Sequence, residues 1–266
     1  MNTRERKMLE ILKRGRDESG YVAVKAEFEA EGTRIDELLR LNELTRRADL
    51  KLGLKIGGCE AIHDLLQSKL LGADYVIAPM IESPYALKKF IDAKNKAYSI
   101  EEREDTEFLF NLETAMGFAN LNEMISVAKN KDGVNGVVFG RVDFTSSLGL
   151  AIDKANSAEV AEYCLATASA SLDAGLDFVL GGGIGIDSLQ ILKEIHSVQL
   201  TRFETRKIIF DGKCLEGENN RDGLLQAVHF EIQWLLNKRE YYGTIEREDA
   251  KRIDMLESRW KVLSGT

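Results

Sequence analysis

Residues 106–149, TEFLFNLETAMGFANLNEMISVAKNKDGVNGVVFGRVDFTSSLG, constrain the fold more than any other stretch. Two apolar runs, Phe108–Leu112 and Val137–Phe139, each lead to a carboxylate where the run stops, Glu113 and Asp143. The amphipathic segment between them, Leu121–Ala128, is long enough for a crossover helix. Strand, helix and strand in one right-handed unit run their strands parallel, so both carboxylates are expected at the same C-terminal edge. Open α/β sheets and barrels keep their active sites at that edge. Two acids converging there repel unless a cation lies between them or one stays protonated. A hard divalent metal is the simplest answer, because Mg²⁺ is commonly held by one or two carboxylates with substrate oxygens and water. The plainer reading has Glu113 capping a helix and Asp143 opening a turn.

The rest of the chain alternates strands and helices in the same way. A leading helix is expected over 3–14, and a strand over Tyr21–Phe28, whose YVAVKAEF alternates. Leu38, Leu39, Leu41 and Leu44 mark a helix before the strand Leu52–Ile56. Helix Ala61–Leu71 leads to the buried strand Tyr75–Ile81, after which Ser83-Pro84 signals a helix start. Beyond residue 149 the pattern gives helix 157–174, strand Asp177–Leu180, helix Asp187–His196 and strand Lys207–Phe210. A charged helical extension runs over 221–266, and its Trp234 and Trp260 are expected to pack. Seven strands are visible, with the eighth expected near Ala97–Ile100 or near the N-terminus. The expected fold is a single all-parallel (β/α)₈ TIM-type barrel domain over 1–266, with its core at about 20–215 and one irregular or missing strand. A doubly wound open sheet is the alternative, weakened because no GxGxxG follows the first strand.

Composition narrows the function. With 266 residues, 44% of them apolar, the chain can bury a large core, and a net charge of −8 offers no basic surface to nucleic acid or anionic membrane. The charged N-terminal residues hold no apolar signal core, and no run reaches membrane-spanning length, so a cytoplasmic protein is expected. Cys59, Cys164 and Cys214 are widely spaced and indicate neither disulfides nor zinc. The extension is read as packing on the barrel or on another subunit of a homo-oligomer.

Four blocks resemble the HpcH/HpaI aldolase/citrate lyase β-subunit family: NLETAMGFAN (111–120), FGRVDFTSSLG (139–149), GADYVIAPMIESP (72–84) and LKIGG (54–58). The likeness runs from about residue 20 to 215, and the first two blocks together are the specific ones. It implies a barrel of the phosphoenolpyruvate/pyruvate type. Glu113 and Asp143 then match the metal ligands, with Mg²⁺ expected first and Mn²⁺ or Co²⁺ as alternatives. It also implies C–C bond cleavage or formation through a metal-bound enolate of a 2-oxoacid, sugar-derived or phosphorylated, or of an acyl-CoA. Met80, within the third block, is expected to touch the substrate.

This chain departs from the family at two positions. Where the family places an arginine, Lys55 stands, so either the lysine neutralises the enolate oxygen or Arg141 supplies a guanidinium. A strand-end lysine also permits a Schiff-base route, which leaves the carboxylate pair without a task. The family's acid–histidine pair has no counterpart in KAEFEAEGTR (25–34), leaving Glu27 as the candidate general base and Glu29 and Glu31 as expected loop charges. His63, His196 and His229 fall in helical patterns and read as structural. Gly181, Gly182 and Gly183, followed by Asp187-Ser188, have the layout of a phosphate or carboxylate cradle. FETRK (203–207) is expected at the opposite face of the barrel. The functional expectation is a metal-dependent C–C lyase or aldolase on a 2-oxoacid; CoA-thioester cleavage and metabolite binding without turnover are the alternatives.

Overall fold

Eight short strands close on one another in sequence order in the computed structural model, which describes residues 1–265. The first half comprises α1 (Thr3–Ser19), β1 (Tyr21–Glu27), α2 (Ile35–Arg47), β2 (Lys51–Lys55), α3 (Ile62–Leu70), β3 (Tyr75–Ala78), α4 (Pro84–Ala97) and β4 (Glu107–Leu112). There follow α5 (Ala115–Ala119), α6 (Leu121–Ala128), β5 (Gly136–Gly140), α7 (Arg141–Ser147), α8 (Ala158–Ala174) and β6 (Asp177–Gly181). The chain ends with α9 (Leu189–His196), β7 (Arg202–Glu204), β8 (Ile208–Asp211) and α10 (Asn220–Ser264). Ser83 caps α4 by accepting from the Ala86 N–H at 3.2 Å, with Pro84 at the first helical position.

The expected barrel is present, and its eighth strand is β7. At three residues β7 is too short to show alternation, and Ala97–Ile100 is instead the end of α4 and the turn beyond it. The all-parallel expectation fails at the closing strand. β1 to β7 pair parallel in sequence order, but β8 runs antiparallel to both β7 and β1. The reason is loop length: Thr205–Lys207 is three residues, and a parallel return needs a crossover of a dozen or more. The reversal carries Arg206 and Lys207 to the C-terminal edge, opposite to where this segment was expected.

A descending β8 also sets the course of α10. The helix starts at the N-terminal edge and climbs beside α1, fixed below by Arg14–Asp222 at 3.0 Å and above by Arg4–Glu240 at 2.6 Å. Its 45 residues span about 68 Å at 1.5 Å per residue. Leu224, Ala227, Phe230 and Trp234 are buried, whereas every described residue from Thr244 onward is exposed. Trp234 therefore packs as expected, and Trp260 does not.

Arg141 is fully buried and closes the loop after β6. Its guanidinium donates to the carbonyls of Gly181 (3.3 Å), Gly182 (2.9 Å) and Ala155 (3.4 Å), to Asn156 Oδ1 (2.6 Å) and to Ser188 Oγ (3.4 Å). These five bonds use all five of its N–H groups, so the expectation that Arg141 serves a substrate enolate is corrected. Gly182 and Gly183, at φ +79° and +64°, supply the left-handed turn that brings the loop to it. Replacing Arg141 with Met strands those buried carbonyls, and urea unfolding should show a loss of about 3 kcal/mol.

Candidate functional site

Inward-facing side chains of the barrel form three zones. At the N-terminal floor, Arg202 pairs with Glu107 and Asp177, each at 2.7 Å, and lies over the Tyr75 ring at 4.4 Å. Above it Ala23, Ile77, Leu109, Val138, Val179 and Ile209 make a separate apolar cluster inside the strands. The third zone, at the C-terminal mouth, is polar and charged: Lys25, Glu27, Lys55, Asn111, Glu113, Glu204 and Lys207 are all buried there. A period of two delivers these residues, since Ala23, Lys25 and Glu27 share one face of β1, as Leu109 and Asn111 do on β4.

Buried charges are tolerated here because they are paired. The Lys25 ammonium donates to Glu204 in a short contact and lies 3.4 Å from Glu27. Burial works against its charge, but Glu204 and Glu27 outweigh burial and raise its pKa. Lys55 Nζ lies 3.0 Å from Glu29 and 3.6 Å from Glu113. It too is pushed down by burial and raised on balance by Glu113 and Glu29, so it stays protonated, which disfavours the Schiff-base route. For Glu27, burial is outweighed by Lys25, Lys55 and Arg206, and its pKa is lowered. As a base it is ionised but weak, contrary to the tuning towards neutrality that a general base needs. Glu29 and Glu31 were expected as loop charges; instead they fold over the mouth, Glu29 onto Lys55 and Glu31 onto Lys207.

Glu113 is 2% exposed. Its Oε1 accepts from the Met80 N–H at 2.9 Å and its Oε2 from the Asn111 amide at 2.6 Å. Met80 holds φ +51° to make that bond, an uncommon conformation for a residue with a side chain, and its side chain is half-exposed. A Cβ on Gly140 would lie 2.6 Å from Glu113 Oε2, so β5 must end in glycine for the carboxylate to fit. The capping role falls to the next residue, as Thr114 Oγ1 accepts from the Gly117 N–H at 3.0 Å. Asp143 is not at the strand end: it lies in the first turn of α7, three residues past Gly140, and is exposed. Ser147 Oγ accepts from the Ala115 N–H at 2.8 Å, tying α7 to the loop that follows Glu113.

Among the described residues no group of three His, Cys, Asp or Glu side chains stands ready to hold a metal alone. Mg²⁺ asks for less, one or two carboxylates with substrate and water. A carboxylate offers about four lone-pair sites, and two hydrogen bonds leave Glu113 with spare capacity. Asn111 Oδ1 beside it is buried and has no partner among the described residues. Glu113 and Asn111 thus offer hard oxygen donors of the kind a divalent cation takes, while Asp143 stands exposed on the neighbouring α7.

The carbonyls of the triple glycine are engaged inside the protein. The carbonyls of Gly181 and Gly182 face Arg141, and that of Gly183 accepts from Ser188 Oγ at 3.3 Å. A Cβ on Gly181 would lie 3.1 Å from Glu204 Oε1, so this glycine makes room for a carboxylate. His63, His196 and His229 lie on α3, α9 and α10, as expected. Sequence reasoning missed Glu204, Asn111 and Lys207. The first lies on a three-residue strand, and the last was placed on the wrong face by the assumption of parallel strands.

Two solved structures share the fold. The chain superposes on an HpcH/HpaI aldolase from Desulfitobacterium hafniense DCB-2 with a TM-score of 0.58 and 13% identity, covering 72% of this chain and 80% of that one. An HpcH/HpaI aldolase/citrate lyase family protein from Burkholderia cenocepacia J2315 gives 0.57 and 14%, with 91% and 90% covered. No curated protein matches the chain. A family model for HpcH/HpaI aldolase/citrate lyase matches residues 38–180, from α2 into β6 and short of the β7–β8 hairpin. Because that match takes in more than half of the sequence, the chain belongs to the HpcH/HpaI aldolase/citrate lyase family.

Proposed function

We propose that the protein is a divalent-metal-dependent carbon–carbon lyase or aldolase acting on a 2-oxoacid. The family is one of aldolases and lyases. The observation that carries the finer reading is the setting of Glu113, buried, held by two N–H donors and flanked by a charged lysine at the barrel mouth. Glu113 and Asp143 would hold a cation such as Mg²⁺, or Mn²⁺ or Co²⁺ in its place, which would supply Lewis-acid charge for the developing enolate.

The chain's own residues supply the rest. As the C–C bond breaks, negative charge gathers on the oxo oxygen, and the Lys55 ammonium offsets part of it. Glu29 and Glu113 keep that ammonium protonated and fix its position. Met80 N–H and the Asn111 amide hold the Glu113 carboxylate in one orientation before substrate arrives. The apolar layer beneath closes the barrel to water from below.

The α10 arm supports assembly into a homo-oligomer. Leu225, Val228, Ile232 and Leu235, then Ile253, Leu256, Trp260 and Leu263, follow one three-four spacing and are all exposed. That spacing is the seam of a helix that packs on another helix.

Pyruvate incubated in D₂O with Mg²⁺ should exchange its methyl protons, and Glu113→Gln or Asp143→Asn should slow the exchange at least about 100-fold. A chelator should abolish it. Exchange confined to acyl-CoA would transfer the reading to thioester cleavage, and saturable binding without exchange would reduce the protein to a metabolite binder. Glu27 contributes stability that is present above the ordinary glutamate range and lost as pH falls through its lowered value. Urea unfolding of Glu27→Gln should therefore depend less on pH between about pH 5 and pH 3 than the parent does. Trp260→Lys should lower the mass seen by light scattering while leaving the melting temperature unchanged.

A further inference from the structure

Of the four cations that ring the mouth, three are committed. Lys25 is held by Glu204 and Glu27, Lys55 by Glu29 and Glu113, and Lys207 by Glu31. Arg206, at the tip of the β7–β8 turn, is the exception. Its side chain is 54% exposed, and its nearest carboxylates, Glu27 and Glu31, lie at 4.0 and 3.9 Å. Both distances exceed hydrogen-bond length, and among the described residues the guanidinium makes no hydrogen bond. Its position in the ring is equally telling. In a closed barrel of eight, β8 stands four strands from β4, so the β7–β8 turn that carries Arg206 lies across the opening from the end of β4.

We propose that Arg206 selects a substrate bearing a second anionic group, at the end remote from the 2-oxoacid. The inference rests on the reading of Glu113 as the anchor of the oxo acid. With that end fixed beside β4 and β5, the other end of an extended substrate reaches the β7–β8 turn. A guanidinium presents a planar fork that takes a carboxylate or phosphate through two parallel N–H bonds. Glu27 and Glu31 keep the fork over the mouth without occupying it, so an incoming anion displaces water and breaks no hydrogen-bonded pair. The three lysines are less available for this remote group, because each already neutralises a carboxylate at closer range. Arg206 lies beyond the residues matched by the family model, on the strand pair whose direction is reversed.

Three probes of equal length test this by calorimetry with Mg²⁺ present: 2-oxoglutarate, its terminal amide, and the analogue ending in phosphonate. The parent protein should bind an anion-ended probe at least about tenfold more tightly than the amide. Arg206→Gln should erase that preference while leaving amide binding and melting temperature unchanged, and Arg206→Lys should restore part of it. The anion-ended probe with the larger loss in Arg206→Gln identifies carboxylate or phosphate as the group recognised. A preference that survives in Arg206→Gln, or its absence from the parent, overturns the proposal. Glu113→Gln separates the two readings: if it leaves binding of all three probes unchanged while Arg206→Gln removes the preference, the role given to Glu113 fails and that given to Arg206 stands.

Discussion

An ammonium sealed inside a barrel must be met by carboxylates, and Lys25 is the group on which the mouth of this barrel depends. It stands on β1, and its short partner Glu204 stands on β7, so the contact reaches across the intervening β8. Gly181 leaves the space Glu204 needs, and Glu27 supplies the second countercharge from β1 itself. Strip away both carboxylates and the interior holds an uncompensated charge, which costs far more than the pairing gains. The same logic extends outwards through Lys55, Lys207 and their glutamates, giving a mouth built of alternating signs.

That alternation separates two tasks at the C-terminal edge. On the β4–β5 side, Glu113 is immobilised by the Met80 N–H and the Asn111 amide, and Gly140 is kept bare to admit it. On the β7–β8 side the turn carries two cations, Lys207 buried and Arg206 half-exposed, with Lys25 of neighbouring β1 buried beside them. Arg141, which the linear sequence puts next to the site, is turned away to hold the loops after β5 and β6 together. Proximity in sequence and availability to a ligand are different properties, and hydrogen-bond count decides between them.

The barrel was legible because its buried strands are apolar runs separated by periodic helices, as at Phe108–Leu112, Leu121–Ala128 and Val137–Phe139. Glu113 was legible because it follows such a run directly. Strand direction was not: a hairpin and a crossover differ only in the length of the connection, and with β7 unseen the three-residue loop to β8 could not be recognised. That one omission moved Arg206 and Lys207 to the wrong end of the molecule and hid Glu204. Asp143 was assigned to a strand end because it is the first carboxylate after the run Val137–Phe139, whereas Gly140 already closes the strand and Arg141 begins α7. The partners of Glu29 and Glu31 come from strands distant in sequence, which no local pattern encodes.

The descending last strand has a consequence for the outline of the molecule. In a barrel whose strands all rise, the closing helix returns downward and leaves the entrance clear. Here the terminal helix rises instead, passing Glu37 near the top of α2, where Tyr242 donates to that carboxylate at 2.6 Å, and continuing as a bare rod of some twenty residues. The rod stands like a mast beside the C-terminal rim, so a second chain wrapped around it would sit next to the barrel's mouth.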